Sequence, residues 1–226
     1  MPLRTSAMRA LGAFANVFAI ESFVDELAQL RGEDPLAFRR RHLEDPRALA
    51  VLEAVVERSA WWGRRAQEPE GVGHGLAWAR YKNSGAWCAA IARVEVGAQV
   101  RVLNLDLAVD VGTVVDLDGV INQIEGGAIQ STSWALKEQV TFDRARITSG
   151  EWAAYPVLRF HEVPEVRVHV LDRPDEPPLG AGEAAQGPVA AALANAVHDA
   201  LGVRVRELPL SAETLLRAVH AAEAND

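Results

Sequence analysis

Apolar residues recur at intervals of three and four along the first sixty residues, the spacing that gives a helix one apolar face. In the stretch 14–30 we expect this buried face to hold Phe14, Val17, Phe18, Phe23, Val24 and Leu27. Asp34-Pro35 and Asp45-Pro46 predict the starts of a second and a third helix, because proline is tolerated in the first helical turn. The third helix is predicted to run to about Ser59, so we interpret residues 1–63 as a helical segment.

From residue 72 the pattern changes to short apolar runs with near-alternation, which is typical of strands. The polar residues 64–71 between the two patterns predict a loop. Strands are predicted over 75–81, 89–96, 100–109, 138–142 and 163–171. Helices are predicted over 117–136, 188–201 and 211–221. This order indicates an α+β fold with helices packed on a mixed or antiparallel sheet, with 72–226 as an α+β region continuous with the helical segment.

The charge balance argues against nucleic acid or an anionic membrane as the main partner. The 226 residues carry a formal net charge of −8, whereas both partners favour basic surfaces. Arg4 and Arg9 precede the apolar stretch 10–20 in loose imitation of a signal peptide, but no convincing cleavage site follows. No apolar run reaches the roughly 18 residues of a membrane span. We therefore expect a soluble, cytoplasmic chain, or a periplasmic one if it is exported with a partner.

Cysteine and histidine usage limits the metal chemistry. Cys88 is the single cysteine, so neither a disulfide within the chain nor an iron–sulfur cluster held by this chain alone is possible. Any electron relay would lie on another polypeptide. The six histidines show no H-x-H or H-x-x-x-H spacing, so a zinc site is not predicted, and no residues of this chain are assigned as metal ligands.

The segment Gly180-Ala181-Gly182-Glu183 is a candidate catalytic site just before a predicted helix. Glycines allow close approach of a bulky group, and the helix N-terminus favours an ionised carboxylate, while burial would raise its pKa. Glu183 could thus be tuned as a general base. On this motif alone, a solvated glutamate near a helix start remains the more common explanation.

Two further segments have functional and structural explanations. Gln123 precedes Gly126-Gly127 inside a predicted helix, where each glycine costs roughly 1 kcal/mol relative to alanine. Either a ligand or another chain segment packs against that bare backbone. Arg9 stands ahead of the first helix, where it could bind an anion together with free backbone N–H groups, although a surface arginine is the commoner case.

The order of these segments is more specific than any one of them. The chain resembles the C-terminal part of the molybdenum-binding large subunits of the isoquinoline 1-oxidoreductase type, in the xanthine dehydrogenase/aldehyde oxidase superfamily. The resemblance extends over nearly the whole chain. It is carried by 9–12 (RALG), 18–28 (FAIESFVDELA), 34–39 (DPLAFR), 108–112 (AVDVG), 123–127 (QIEGG), 155–159 (YPVLR), 164–166 (PEV), 177–183 (PPLGAGE) and 191–196 (AALANA).

The resemblance implies a role for each matching residue. Glu183 falls on the general base beside the molybdenum, and Gln123 on a glutamine that contacts the pterin. Arg9 falls on an arginine lining the cofactor site, and Gly182 on the tight turn before the base. The implied cofactor is a molybdenum-pterin, of the molybdopterin cytosine dinucleotide form. The implied reaction oxidises an aldehyde or N-heterocycle with water-derived oxygen, and electrons leave through iron–sulfur clusters on a small partner subunit.

Several features depart from the family pattern. The upstream Gly-Gln-Gly and Gly-Gly-x-Phe-Gly motifs are absent, so we expect the remaining molybdenum-binding polypeptide to complete the pocket and the chain alone to be inactive. Gln130-Ser131 replaces the usual Gly-Leu, and 184–186 (AAQ) replaces a proline-containing stretch. The alternative is a non-catalytic binding or assembly module that kept the fold without the chemistry. An unrelated hydrolase using Glu183 fits the ordered motifs poorly.

Overall fold

The computed structural model describes residues 5–61 and 67–224, and these form an α+β fold as predicted. The helices are α1 (Ala13–Leu30), α2 (Pro35–His42), α3 (Pro46–Ser59), α4 (Leu117–Leu136), α5 (Gln186–Leu201) and α6 (Ala212–Glu223). The strands are β1 (Val72–Arg80), β2 (Trp87–Val96), β3 (Val100–Asp110) and β4 (Glu165–Leu171). The predicted loop 64–71 lies partly outside the described residues, which resume at Gln67.

The four strands form one mixed sheet in the order β1-β2-β3-β4. The first two pairs are antiparallel and the β3–β4 pair is parallel. A parallel neighbour requires a crossover connection, which α4 and the long segment 137–164 supply. The sheet prediction is therefore confirmed in its mixed form.

Helices cover both faces of the sheet, because successive side chains along β2 belong alternately to two hydrophobic cores, one on each face. Cys88, Ala90 and Ala92 belong to the hydrophobic core under α5, whereas Ala89 and Ile91 belong to the core under α3. A strand buried on both faces has no polar side to alternate with its apolar side. Burial beneath α5 also raises the pKa of the Cys88 thiol to about 12.

Strand β1 lets the backbone of α5 lie directly on the sheet. A Cβ added at Gly75 would come within 2.0 Å of the Ala192 carbonyl oxygen, and one at Gly73 within 2.2 Å of the Ala196 carbonyl oxygen. These two glycines therefore serve close helix–strand packing. Helix α1 packs in turn on the outer side of α5.

The two Asp-Pro pairs start their helices as predicted. The Asp34 carboxylate accepts hydrogen bonds from the Leu36 and Ala37 N–H groups at 2.8 and 3.0 Å, so it caps α2. Asp45 caps α3 in the same way, and its other oxygen accepts from Trp87 Nε1 at 2.8 Å. The second cap thereby also fixes α3 against β2.

The predicted strand 138–142 is wrong. Its residues form no ladder, and Phe142 makes only an isolated bridge with Ile147. Glu138 is held instead by side chains: it accepts hydrogen bonds from the Ser133 and Tyr155 hydroxyls. These bonds draw the chain back to the end of α4, so no partner strand lies alongside it.

The predicted apolar face of α1 is only partly correct. Phe18 is buried, but Phe23 is 58% exposed, and Glu21 and Ser22 are buried in its place. Glu21 is tolerated there because its carboxylate accepts from Arg39 Nε at 2.9 Å and from the Trp78 N–H at 3.0 Å. An ion pair, which hydrophobic periodicity does not detect, sets the orientation of the helix.

The same ion pair joins the two segments predicted from sequence. Arg39 also donates to the Leu76 carbonyl oxygen of β1, which accepts a second hydrogen bond from Asn195 of α5. Buried charges and amides thus connect α1 and α2 to the sheet and to α5. These contacts support our proposal that segments 1–63 and 72–226 form one continuous unit.

A half-buried carboxylate, that of Glu68, should make stability depend on pH. Glu68 accepts two 2.7 Å hydrogen bonds from Arg93 and one of 2.9 Å from His74. The Arg93 hydrogen bonds lower its pKa from 4.5 to about 2, with a smaller contribution from His74. Such a group stabilises the fold fully above pH 4.5, and its contribution is lost as the pH falls toward 2.

We therefore expect Glu68→Gln to lower the free energy of unfolding by about 3 kcal/mol at neutral pH and by progressively less toward pH 2. Urea unfolding at pH 7, 4 and 3 measures this difference. Glu95→Gln, which alters an exposed ion pair with Arg101, is the matched control and should change little. A constant offset between wild type and Glu68→Gln at all three pH values would contradict the prediction.

Candidate active site

Glu183 lies in the turn that precedes α5, and a residue far away in sequence holds its carboxylate. The Ala10 backbone N–H donates to Oε1 of Glu183 at 2.9 Å, across 173 residues of sequence. The N-cap of α5 is Ala185, which makes no side-chain cap, so Glu183 does not cap the helix. Its carboxylate faces the turn 8–11 and Tyr81.

The surroundings of Glu183 favour the ionised carboxylate. Interaction with the Tyr81 hydroxyl is the largest cause of a lowered pKa, followed by the Ala10 N–H, while burial opposes both. Lys82 and Arg9 add weaker electrostatic contributions in the lowering direction. Glu183 is therefore ionised at neutral pH, as a proton acceptor must be. Burial raises the pKa of Glu183, as expected, but Tyr81 and the Ala10 N–H stabilise the ionised form and lower it.

Arg9 joins the predicted site residues into one network. Its Nε donates to the Gly182 carbonyl oxygen at 2.5 Å, and one terminal nitrogen donates to Gln123 Oε1 at 3.0 Å. The other terminal nitrogen donates to Gln130 Oε1 at 3.3 Å. Arg9, Gln123, Gly182 and Glu183, predicted from three separate segments of the sequence, thus lie together.

Gln186 is a buried member of this network that the sequence did not single out. With its amide oriented to suit its neighbours, its oxygen accepts from Arg9 Nε at 2.8 Å and its nitrogen donates to the Glu183 carbonyl oxygen at 3.1 Å. The Ser131 hydroxyl donates to the Gln186 backbone oxygen at 2.6 Å. The sequence did carry a signal, because Gln130-Ser131 and Gln186 are the departures from the family pattern, and they meet around one arginine.

The two glycines of α4 have different surroundings. A Cβ at Gly127 would lie 2.9 Å from the end of the Gln186 side-chain amide, so Gly127 permits close packing of α4 on the start of α5. A Cβ at Gly126 would meet nothing within 4 Å, and this residue is exposed. Of the two explanations for the pair, packing therefore holds for Gly127, while Gly126 presents open backbone beside Gln123.

The AVDVG segment at the end of β3 holds the loop that leads to Glu183. The Leu179 N–H donates to the Val111 carbonyl oxygen at 2.7 Å. Gly112 has a φ of +70°, and a Cβ there would lie 2.1 Å from the Pro177 carbonyl oxygen, so only glycine fits. The turn 180–183 is thus anchored to the sheet.

Strained backbone surrounds the Glu183 carboxylate on two sides. Among the described residues, five that are not glycine have a positive φ, and four of these lie in the two turns that contact Glu183. They are Ala10 and Leu11 at +70° and +50°, and Lys82 and Asn83 at +50° and +56°. Such strain is concentrated at functional sites, where the surrounding structure enforces it.

The surface around Gln123 suits a ligand rich in hydrogen-bond acceptors. Gln123 is exposed, and because Arg9 occupies its oxygen, the amide nitrogen is left to donate. Nothing lies within 4 Å of a Cβ placed at Gly180. Within residues 5–61 and 67–224, no group of three or more His, Cys, Asp or Glu side chains is placed to hold a metal ion.

A groove of about 510 Å³ with mostly apolar walls opens beside Arg9. Its walls include Met8, Leu11, Trp134 and Val140. Phe14, also in the lining, packs edge-on against Trp134 with 5.3 Å between ring centroids.

No helix of the described chain is long and apolar enough to cross a membrane.

Comparison with protein families supplies the decisive observation. Residues 9–164 match the model of a molybdopterin cofactor-binding domain. The chain belongs to this molybdopterin cofactor-binding family. Arg9 and Gln123 fall inside the matched range, whereas Gly182 and Glu183 lie beyond its end.

Relatives extend the family match over most of the chain. It is 44% identical to a nicotinate dehydrogenase subunit of Pseudomonas putida over 96% of its length, and 35% identical to the beta subunit of isoquinoline 1-oxidoreductase of Brevundimonas diminuta over 90%. These alignments cover 20% and 26% of the two relatives. The predicted resemblance to the isoquinoline 1-oxidoreductase type is confirmed, and the chain spans about a fifth to a quarter of these relatives.

Two solved structures of oxidoreductases share the fold. Quinoline 2-oxidoreductase from Pseudomonas putida 86 superposes with a TM-score of 0.84 over 95% of this chain and 53% of the other, at 16% identity. Aldehyde oxidoreductase from Desulfovibrio gigas gives 0.83 over 96% and 42%, also at 16% identity. At this identity the likeness establishes the architecture and nothing about substrate.

Proposed function

We propose that this chain supplies the general base and part of the cofactor cradle of a molybdenum hydroxylase. The observation that carries the proposal is the Glu183 carboxylate, kept ionised beside the surface formed by Arg9 and Gln123. An ionised carboxylate held in this way, next to hydrogen-bond donors, can accept a proton beside a bound cofactor.

The residues present fit a molybdenum-pterin cofactor. Gln123 and Arg9 offer donors to the pterin, and the bare backbone at Gly126 and Gly180 leaves room for its approach. When bound, this cofactor supplies the two-electron oxidation and the site at which water-derived oxygen reacts. Glu183 accepts the proton, Ala10 and Gln186 hold Glu183 in place, and Arg9 fixes the turn at Gly182. We further propose the cytosine dinucleotide form of the cofactor.

We propose an electron-poor N-heterocycle as substrate, with an aldehyde as the second class. The names of the two relatives, nicotinate dehydrogenase and isoquinoline 1-oxidoreductase, support the first class. The apolar groove beside Leu11 and Trp134 would accommodate a flat ring. Electrons would leave through iron–sulfur clusters on a small partner protein, since one cysteine cannot hold a cluster here. We propose a cytoplasmic complex, or a periplasmic one if the chain is exported with a partner.

The segment 137–164 supports the proposal that another part of the molybdenum-binding polypeptide docks on this chain. Large apolar side chains are exposed along it: Val140, Phe142, Ile147, Trp152, Val157, Phe160 and Val163. Trp152 is 83% and Phe160 fully exposed. Clustered exposed apolar residues of this size commonly mark an interaction surface. The relatives are about four to five times as long as the part that aligns with this chain, so their remaining residues are numerous enough to cover this surface.

Reconstitution tests the proposal. The chain is co-expressed with the upstream molybdenum-binding polypeptide and the iron–sulfur subunit, and the purified complex is analysed for metal and turnover. We expect about one molybdenum per chain and incorporation of ¹⁸O from labelled water into a hydroxylated heterocycle. Molybdenum at stoichiometric level excludes the non-catalytic module, whereas a stable complex without molybdenum, from cells that load other molybdenum enzymes, would favour it.

A further inference from the structure

Tyr81 follows β1 on the side of the strand that faces α5. A Cβ added at Gly73 would meet the Ala196 carbonyl oxygen, and one added at Gly75 would meet the Ala192 carbonyl oxygen. Two residues along the strand therefore correspond to about one turn of the antiparallel helix. Side chains two residues apart lie on the same side of a strand, so positions 77, 79 and 81 continue the side that faces α5. At this spacing Tyr81 lies next to the turn that precedes α5. That turn contains Glu183.

The Tyr81 hydroxyl is buried but has no hydrogen bond of ordinary geometry with any residue of the described chain. The Glu183 carboxylate is the acceptor that interacts with it. Hydrogen bonds at catalytic groups are often long in the free protein and shorten when the site is complete. A buried hydroxyl without a good partner costs about 1–3 kcal/mol, so an open contact of this kind calls for an explanation.

The rest of Tyr81 is held firmly. Its carbonyl oxygen accepts from the Gly85 N–H at 2.8 Å, and its own N–H donates to the Ala86 carbonyl oxygen at 2.9 Å. A Cβ at Gly85 would lie 3.3 Å from the Tyr81 ring. The ammonium group of Lys82, the next residue in the turn, lies 5.2 Å from the centroid of the same ring. The turn therefore fixes the backbone position from which the Tyr81 ring extends.

We propose that Tyr81 is a positioning residue for Glu183, donating a hydrogen bond to the carboxylate that Ala10 holds through Oε1. The catalytic meaning of this contact rests on the proposed role of Glu183 as base. Tyr81 keeps its proton throughout, since burial and the neighbouring carboxylate raise its pKa to about 12. Its effect is to fix the direction of the carboxylate and to keep it ionised at lower pH.

Ultraviolet titration of the full chain tests the contact without the cofactor. The sequence has two tyrosines, so Tyr155→Phe leaves Tyr81 as the single phenol. In that background we expect Glu183→Gln to raise the phenolate absorbance at pH 11 about fivefold, which corresponds to a pKa lower by about one unit. Unchanged absorbance would overturn the inference. This variant retains Tyr81, so the measurement does not depend on whether Tyr81→Phe folds.

The second tyrosine provides the matched control. The Tyr155 hydroxyl donates to Glu138 Oε2 at 2.8 Å, and its pKa is also raised to about 12. In Tyr81→Phe, Glu138→Gln should increase the Tyr155 absorbance, while in Tyr155→Phe it should leave Tyr81 unaffected. If the Tyr81 absorbance also rose in Glu138→Gln, the increase would reflect a general loosening of the fold, and the specific contact with Glu183 would be contradicted.

In the reconstituted complex, Tyr81→Phe should move the acid limb of the kcat/KM profile to higher pH, because the hydroxyl that lowers the pKa of Glu183 is gone. Above that limb the rate should fall only a few-fold. A uniform loss at all pH values would point to a structural role and overturn the positioning role. If Glu183→Gln kept full turnover, the proposed role of Glu183 as base would be wrong, even if the titration of Tyr81 still responded to that substitution. The two failures are therefore distinguishable.

Discussion

Glu183→Gln in the reconstituted complex is expected to lower kcat by about 10²–10⁴-fold, the usual contribution of a general base. The amide oxygen of glutamine can still accept from the Ala10 N–H, so the turn before α5 should remain in place. What the variant lacks is a group that takes up a proton. Steady-state kinetics, the molybdenum content and the thermal midpoint of the complex together separate chemistry from folding.

Glu213→Gln is the matched control for this experiment. It makes the same chemical change at an exposed position of α6, in an ion pair with Arg217. Both variants should retain wild-type molybdenum and stability, and only Glu183→Gln should lose turnover. Comparable rates for the two variants would show that the proton goes to another group.

Gly75→Val should destabilise the chain by about 3 kcal/mol or more, or prevent its folding. The added Cβ would stand 2.0 Å from the Ala192 carbonyl oxygen and 2.3 Å from the Ala196 nitrogen. Both are backbone atoms of a buried helix, so neither can rotate away as a side chain can. The only relief is to lift α5 from the sheet.

Urea unfolding measures this effect, and the β2–β3 turn offers a control. A Cβ at Gly97 meets nothing within 4 Å, and its backbone does not have a positive φ, so Gly97→Ala should change stability by no more than about 0.5 kcal/mol. If Gly75→Val unfolds at the wild-type urea concentration, then α5 does not rest directly on β1.

The sequence predicted the helices and most strands because their signals are local. Asp34 and Asp45 cap helices that begin at the next residue, and the short apolar run along β2 indicates a strand without knowledge of the partner strand. The strand predicted over 138–142 failed because its apolar spacing is equally compatible with an exposed segment. Only the side-chain bonds of Glu138 decide between the two.

The candidate site was predicted in part, through the order of its motifs rather than through local physics. Arg9 and Glu183 were identified, but the reason that Glu183 stays ionised was not, since Tyr81 and Ala10 lie 102 and 173 positions away in the sequence. Gln186 was noticed only as a departure from a pattern. Contacts of this range depend on how β1 and α5 align, which periodicity does not report.

The burial of Cys88 gives the chain a practical property. Because its thiol is fully covered by α5 and its pKa is raised to about 12, it should resist maleimide and disulfide reagents while the protein is folded. A cysteine introduced at exposed Phe160 would then be the single reactive thiol. A fluorophore or spin label attached there would report directly on whether segment 137–164 is covered when the upstream polypeptide assembles.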